Sequence, residues 1–212
     1  MRPTAFNDRY AGFIDKEQLA TLPIDIVGCG TIGRPVALLL AAMGADCLTL
    51  YDDDSVEIAN LGNQGWELAD IGKPKADALA DACTRYGAKR PTANVKRVGF
   101  DDRLDGRVLI LAVDSVGARN NILDAESAAE LVIDGRIGGE RVQVVCGTHD
   151  EVRPTVPEEN GEAPCGMVST LYVGYTIAGL IASQLARHLR GWGAQSVYQN
   201  LGGCAGAWGA VA

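Results

Sequence analysis

A chain of 212 residues is one ordinary domain, long enough to bury most of its apolar surface without disulfide or metal staples. Its 19 basic and 27 acidic residues give a formal charge of −8, and Lys and Arg are scattered rather than gathered in a stripe, which argues against nucleic acid as a partner. Six cysteines, at 29, 47, 83, 146, 165 and 204, include no Cys-x-x-Cys pair, so they read as reduced thiols and no zinc is expected.

Residues 1–22 read as an amphipathic arm, with Phe6, Tyr10, Phe13 and Leu19 at near-helical spacing among charged residues. The arm lacks the continuous apolar core of a secretory signal, which points to the cytoplasm. Ile24-Asp25-Ile26-Val27 then runs into Gly28-Cys29-Gly30-Thr31-Ile32-Gly33, an apolar helix through Met43, and Cys47-Leu48-Thr49-Leu50-Tyr51 ending in Asp52-Asp53-Asp54. That is strand, glycine turn, helix, strand, acid. Glycines at 28, 30 and 33 permit a tight turn, backbone approach to a phosphate chain and close helix-on-strand packing, while the helix N-terminus offers N–H groups to an anion. The pattern predicts a nucleotide ligand, with Asp52 where ribose hydroxyls are caught.

From Ser55 to Gly72 no clean period holds, and a long irregular crossover in a compact domain is usually functional. Pro74 opens a helix through Tyr86, and Asn94–Val98 has strand character. The apolar run Val108–Val113 ends in Asp114, as a buried parallel strand would with its C-terminal end at a site. A helix is expected over Val116–Glu130, then strands at Leu131–Asp134 and Arg141–Cys146, and a crossover loop over 150–166. Ala163–Ala186 carries no charge, but its Ser, Thr, Tyr and Gln content favours a helix buried on protein or at an interface over a membrane span, with Gly174 and Gly179 suited to tight packing. Residues 191–212 form a tail of small residues with one strand-like piece, Ser196–Asn200.

Five stretches stand in order: the glycine turn, Asp52-x-Asp54, Asn60-Leu61-x-x-Gln64, Asp70-Ile71-Gly72-Lys73-Pro74-Lys75-Ala76, and Val113-Asp114-Ser115. Together they resemble the ThiF/MoeB/HesA family, the bacterial relatives of ubiquitin-activating enzymes, over roughly residues 5–190. The resemblance implies an α/β, Rossmann-like single domain with a mostly parallel central sheet and helices on both faces. It implies an adenylyltransferase that uses ATP and Mg2+ to activate a carboxylate, by family default the C-terminus of a ubiquitin-like or sulfur-carrier-like protein, and that works as a homodimer. By the same resemblance Lys75 sits at the phosphates and Asp114 is the magnesium-associated aspartate, assisted by Asp54. Asn60 and Gln64 line the nucleotide site, Arg9 reaches into the neighbouring subunit's site, and Cys165 accepts an acyl group as a thioester.

Adenylation suits such a set, because charge that builds on departing pyrophosphate needs fixed cations and a held metal. Singly, the residues have plainer readings: Lys75 as a first-turn surface lysine, Asp114 as a helix cap, Cys165 as a buried thiol. The chain also departs from the family, with Asn63 where many relatives carry arginine: either Arg9 or Arg34 supplies the missing cation or catalysis is impaired. The paired Cys-x-x-Cys motifs that hold zinc in many members are absent from these residues, among which no ubiquitin-like, large cysteine or rhodanese-like domain is expected. Two other functions stay open: an NAD-dependent oxidoreductase, which the turn and Asp52 would equally suit, and a non-catalytic nucleotide-binding module that docks a partner.

Overall fold

The computed structural model describes residues 12–156, 170–202 and the short strand at 209–210. A capped turn, α1 (Lys16–Thr21), leads into β1 (Ile24–Val27), α2 (Gly33–Met43) and β2 (Leu48–Tyr51). The crossover of 55–74 holds the one-turn helix α3 (Leu61–Gln64), followed by α4 (Lys75–Arg85), β3 (Thr92–Asn94), β4 (Arg103–Leu104) and β5 (Val108–Leu111). Then come α5 (Val116–Asp124), β6 (Glu126–Ser127), β7 (Leu131–Gly138), β8 (Arg141–Gly147), α6 (His149–Val152), α7 (Leu171–Leu189), β9 (Val197–Asn200) and β10 (Gly209–Ala210).

Among the described residues the main sheet runs β10-β9-β8-β7-β5-β1-β2-β3, with β4 and β6 paired separately. The run β7-β5-β1-β2-β3 is parallel, and β8, β9 and β10 extend it antiparallel. Side chains alternate across each parallel strand. Ile24, Ile26, Leu48, Leu50, Val108, Ile110, Leu131 and Ile133 join one cluster with Val36 and Leu40 of α2, Leu79 of α4 and Ile177 and Ile181 of α7. Val27, Leu109, Leu111 and Val132 face the other way, onto Ile122 and Leu123 of α5 and Val152 of α6. Both faces are covered by helices, so these strands are apolar at most positions, and the buried exceptions are bonded: Asp25 accepts the Gly106 N–H at 2.8 Å and Asp134 two arginines. The expected doubly wound, single α/β domain is what the chain adopts.

Three boundaries differ from the sequence reading. The helix expected to reach Glu130 stops at Asp124, because Glu126 donates its N–H to Asp102 and β6 is taken into pairing with β4, a tertiary demand that helical spacing does not register. The strand expected over Asn94–Val98 lies at Thr92–Asn94, where it pairs with Thr49–Tyr51 and Asn94 O accepts from Asp52 as β2 ends. Residues 149–155 are helical turns rather than loop, started by a reciprocal Thr148–Glu151 capping box. The uncharged helix is half buried: Val173, Gly174, Ile177, Ala178 and Ile181 face inward, while Tyr172 and Tyr175 are exposed. Gly174 is the close-packed glycine of the pair, since a Cβ there would overlap the Thr31 carbonyl oxygen, whereas Gly179 has open space. Among the described residues no helix is long and apolar enough to cross a membrane.

One buried charge cluster ties the second half together. Asp134, with no exposed surface, receives Arg119 Nε at 2.9 Å and Arg136 Nε at 2.7 Å. Arg119 Nη2 also donates to Val113 O at 2.6 Å, and Arg136 Nη2 to Thr155 Oγ1 at 2.7 Å. Asp134→Ala would leave Arg119 buried without its counter-charge, so urea unfolding should show a loss of about 3–5 kcal/mol. Glu130→Ala, which opens the surface pair to Arg107, should leave the unfolding midpoint nearly unchanged.

Candidate active site

Strand register sets the site. Val27 lies level with Tyr51 on one side and Leu111 on the other, so the glycine turn, Asp52 and Ala112 leave the sheet at one edge. Gly28 takes φ +96°, and a Cβ there would stand 2.5 Å from Ala112 O, so the turn lies directly against the strand end that carries Asp114. A Cβ on Gly30 would meet the Gln64 amide in ordinary contact, Nε2 at 3.5 Å. This backbone without side chains, at the N-terminus of α2, presents the kind of N–H groups that bind anions.

Asp52 has a structural duty of its own. Its Oδ2 accepts the Cys29 N–H at 2.6 Å and its Oδ1 accepts the Asp54 N–H at 2.9 Å, so one carboxylate pins the glycine turn to the end of β2. Burial raises its pKa above the ordinary carboxylate value, opposed by those two N–H groups and by the Lys75 charge. Lys75, the first residue of α4, is 6% exposed and reaches Asp54 Oδ2 with Nζ at 2.8 Å, while its backbone N–H holds Asp54 O at 2.8 Å. The plain reading of Lys75 as a solvated lysine fails on that burial. The carboxylate oxygens of Asp52, Asp53 and Asp54 gather within 4.8 Å of one another, a hard-oxygen set of the kind magnesium takes.

Asp114 is exposed, and the cap of α5 is not Asp114 but Ser115, whose Oγ accepts the Ala118 N–H at 3.1 Å. The capping reading of Asp114 is thereby removed. Its backbone is steadied from behind by the Arg119 contact to Val113 O. Of the two amides, Gln64 lies over the glycine turn and accepts the Trp66 Nε1–H at 2.9 Å. Asn60 instead closes the 3-10 turn before α3, accepting the Glu57 N–H at 3.0 Å. An antiparallel bridge between Ser55 and Pro74 draws the two ends of this crossover together, which is how Asp54 and Lys75, far apart in sequence, come to pair.

Arg9 and Cys165 lie outside the described residues. The described cysteines 29, 47, 83 and 146 are free thiols. Burial pushes Cys83 and Cys146 up to about 12 and Cys29 well above its usual value, so none of these three is a ready nucleophile. Two features escaped the sequence reading. The Arg119–Asp134–Arg136 cluster joins residues with no shared motif, and Arg34 stacks over Trp66 at 4.9 Å. Arg34 itself stands out in the sequence as the lone charge in Gly33–Met43 and a candidate to replace the family arginine; only its seat over Trp66 is hidden there.

Known proteins agree with this geometry in sequence and in fold. A family model described as the ThiF family matches residues 9–205. The chain is 30% identical over 110 residues to the sulfur carrier protein ThiS adenylyltransferase of Escherichia coli (strain K12), covering 51% of this chain and 41% of that protein. Against the molybdopterin-synthase adenylyltransferase of the same organism it is 32% identical over 116 residues, 52% of this chain and 47% of the other. Adenylyltransferase and sulfurtransferase MOCS3 of Oryza sativa subsp. japonica matches at 40% over 76 residues, 35% of this chain and 17% of that protein. The chain thus spans less than half the length of these curated relatives. Among solved structures, E. coli MccB with ATP superposes with a TM-score of 0.70 at 15% identity, covering 96% of this chain and 72% of that one. PaaA does so at 0.72 and 21%, covering 93% and 78%, and at such identities the likeness is one of fold. With the family match spanning nearly the whole chain, and its glycine turn, second-strand acids and buried lysine set at one sheet edge, this protein belongs to the ThiF family.

Proposed function

We propose that the chain is an ATP- and Mg2+-dependent adenylyltransferase that activates a carboxylate as an acyl-adenylate. The observation that carries this reading is the convergence of the glycine turn, Asp52, buried Lys75 and the strand end bearing Asp114 on one edge of the sheet. An oxidoreductase would use the turn and Asp52 but gives Lys75 and Asp114 no task. In the proposed reaction a substrate carboxylate oxygen bonds to the α-phosphorus of ATP, the bond to the bridging oxygen breaks, and pyrophosphate leaves with the electron pair. Lys75 exchanges its Asp54 partner for phosphate oxygens, and the fixed N–H groups at the start of α2 meet the same chain. Asp114 and Asp54 would hold Mg2+, which when bound screens the charge of the phosphates. Asp52 takes the ribose, Gln64 and Asn60 bound the nucleotide, Arg9 completes the site across a dimer, and Cys165 accepts the acyl group where a thioester follows. The substrate class is a terminal carboxylate of a sulfur-carrier-like protein, in keeping with the name of one relative, or that of a peptide. The free thiols suit a cytoplasmic protein.

Pyrophosphate–ATP exchange with a panel of protein, peptide and small carboxylates tests the chemistry. Lys75→Ala and Asp114→Ala should each lower exchange by ~10²-fold or more, as removal of a preorganised charge does. Cys165→Ala should leave it intact, because a thiol attacks only after the adenylate exists. Full exchange in the first two variants, or none with any carboxylate, would overturn the assignment.

A homodimer is proposed from the outer stripe of α7, where Tyr172, Tyr175, Gly179 and Ser183 are exposed and no charge interrupts the face. Sedimentation at micromolar protein should show a dimer, and Tyr175→Glu should shift it to monomer. A stable wild-type monomer counts against this part of the reading.

A further inference from the structure

Arg34 is the one charge of α2 and sits in its first turn, with its backbone N–H bonded to Gly30 O at 3.1 Å. The residue is 6% exposed, and its Nε is buried with no hydrogen-bond partner. The guanidinium lies over the Trp66 ring at 4.9 Å, and Nη1 stands 3.1 Å from where a Cβ on Gly65 would be, so the side chain runs from the glycine turn along the α3 end of the crossover. Among the described residues no carboxylate bonds to it. Two residues before Gly65, Asn63 Oδ1 is likewise buried and unpartnered. An aromatic face compensates a buried guanidinium only in part, and the fold elsewhere gives its buried arginine, Arg119, a carboxylate and two carbonyls. A buried cation left with a bare donor, beside a helix N-terminus that already favours anions, is matched by an anion that arrives from outside.

We propose that Arg34 binds the terminal phosphates of the nucleotide, the part that departs as pyrophosphate, and so supplies from α2 the cation that Asn63 does not supply from α3. This rests on the proposed nucleotide reading. Trp66 then serves as a platform that fixes the guanidinium plane, and the charge is neutralised only with the triphosphate present. The inference concerns which part of the nucleotide Arg34 touches, so AMP and ATP distinguish it.

Calorimetric titration of the full chain with ATP and with AMP, in the wild type, Arg34→Met and Arg34→Lys, provides the test. Arg34→Met should bind ATP at least tenfold more weakly while holding AMP within about twofold, and Arg34→Lys should fall between. Without nucleotide, Arg34→Met should melt no lower than the wild type, because it removes an unpaired buried charge and keeps the apolar stem on Trp66. Asn63→Arg placed in the Arg34→Met background should recover ATP affinity. Equal loss of ATP and AMP, or unchanged ATP affinity, overturns the role of Arg34 and leaves the nucleotide reading standing. A wild type that binds neither nucleotide overturns that reading itself.

Discussion

Backbone lies on backbone at the glycine turn, with no side chain between. A Cβ on Gly33 would overlap Gly28 O, and one on Gly28 would press on Ala112 O, so α2 begins as close to β1 and β5 as atoms allow. Every later feature of the site inherits that approach. It points the free N–H groups of the helix at the sheet edge, places Cys29 N–H within reach of Asp52, and lets α7 come down on Thr31 from the other side. Loosening the turn would therefore move the start of α2, the acid of β2 and the last helix together.

Charge is arranged in two registers of strength. Pairs such as Arg107–Glu130 and Arg103–Glu126 are exposed on both sides and add little. The groups near the site are instead buried on at least one side: Lys75 against exposed Asp54, Arg119 against fully buried Asp134. Lys75 and Asp54 divide the labour usefully, since the cation is kept from water and its partner is free to turn toward solvent. Such a pair fixes the lysine in one position, and its exposed partner is the side that can move with small rearrangement. The Arg119 cluster does the opposite job, with every contact internal, and fixes the backbone just before Asp114.

What the residues disclosed and what they hid follows from the range of the forces involved. Gly28 to Gly33 and the apolar runs at Ile24 and Val108 announce themselves locally, since turn geometry and burial on two faces are written in neighbouring positions. The early end of α5 is not local: Glu126 leaves the helix because Asp102, far back in the chain, accepts its N–H. Asp134 gave no sign of burial because its buried partner Arg119 comes from α5, and Arg136, two residues along the same strand, does not by itself mark a buried acid. The Thr148–Glu151 box was legible and passed over in an acidic stretch. Lys75 and Asp114 were legible only as members of an ordered set, and the geometry then separates them: Lys75 proves buried and engaged, while Asp114 loses its alternative duty to Ser115.

Gly174 and Gly179 occupy the same helix and answer to different neighbours. The inner one admits nothing larger than hydrogen against Thr31 O, whereas the outer one meets nothing within 4 Å. The inner stripe of α7 is therefore a fixed spacer against the glycine turn, and the outer stripe is surface on which side chains can be exchanged at no cost to that spacing. Close packing and free surface thus lie on opposite faces of a single rod. A lineage carrying this fold can vary positions 172, 175, 176, 179 and 183, and with them the shape of its outer surface, while the turn behind them stays as it is.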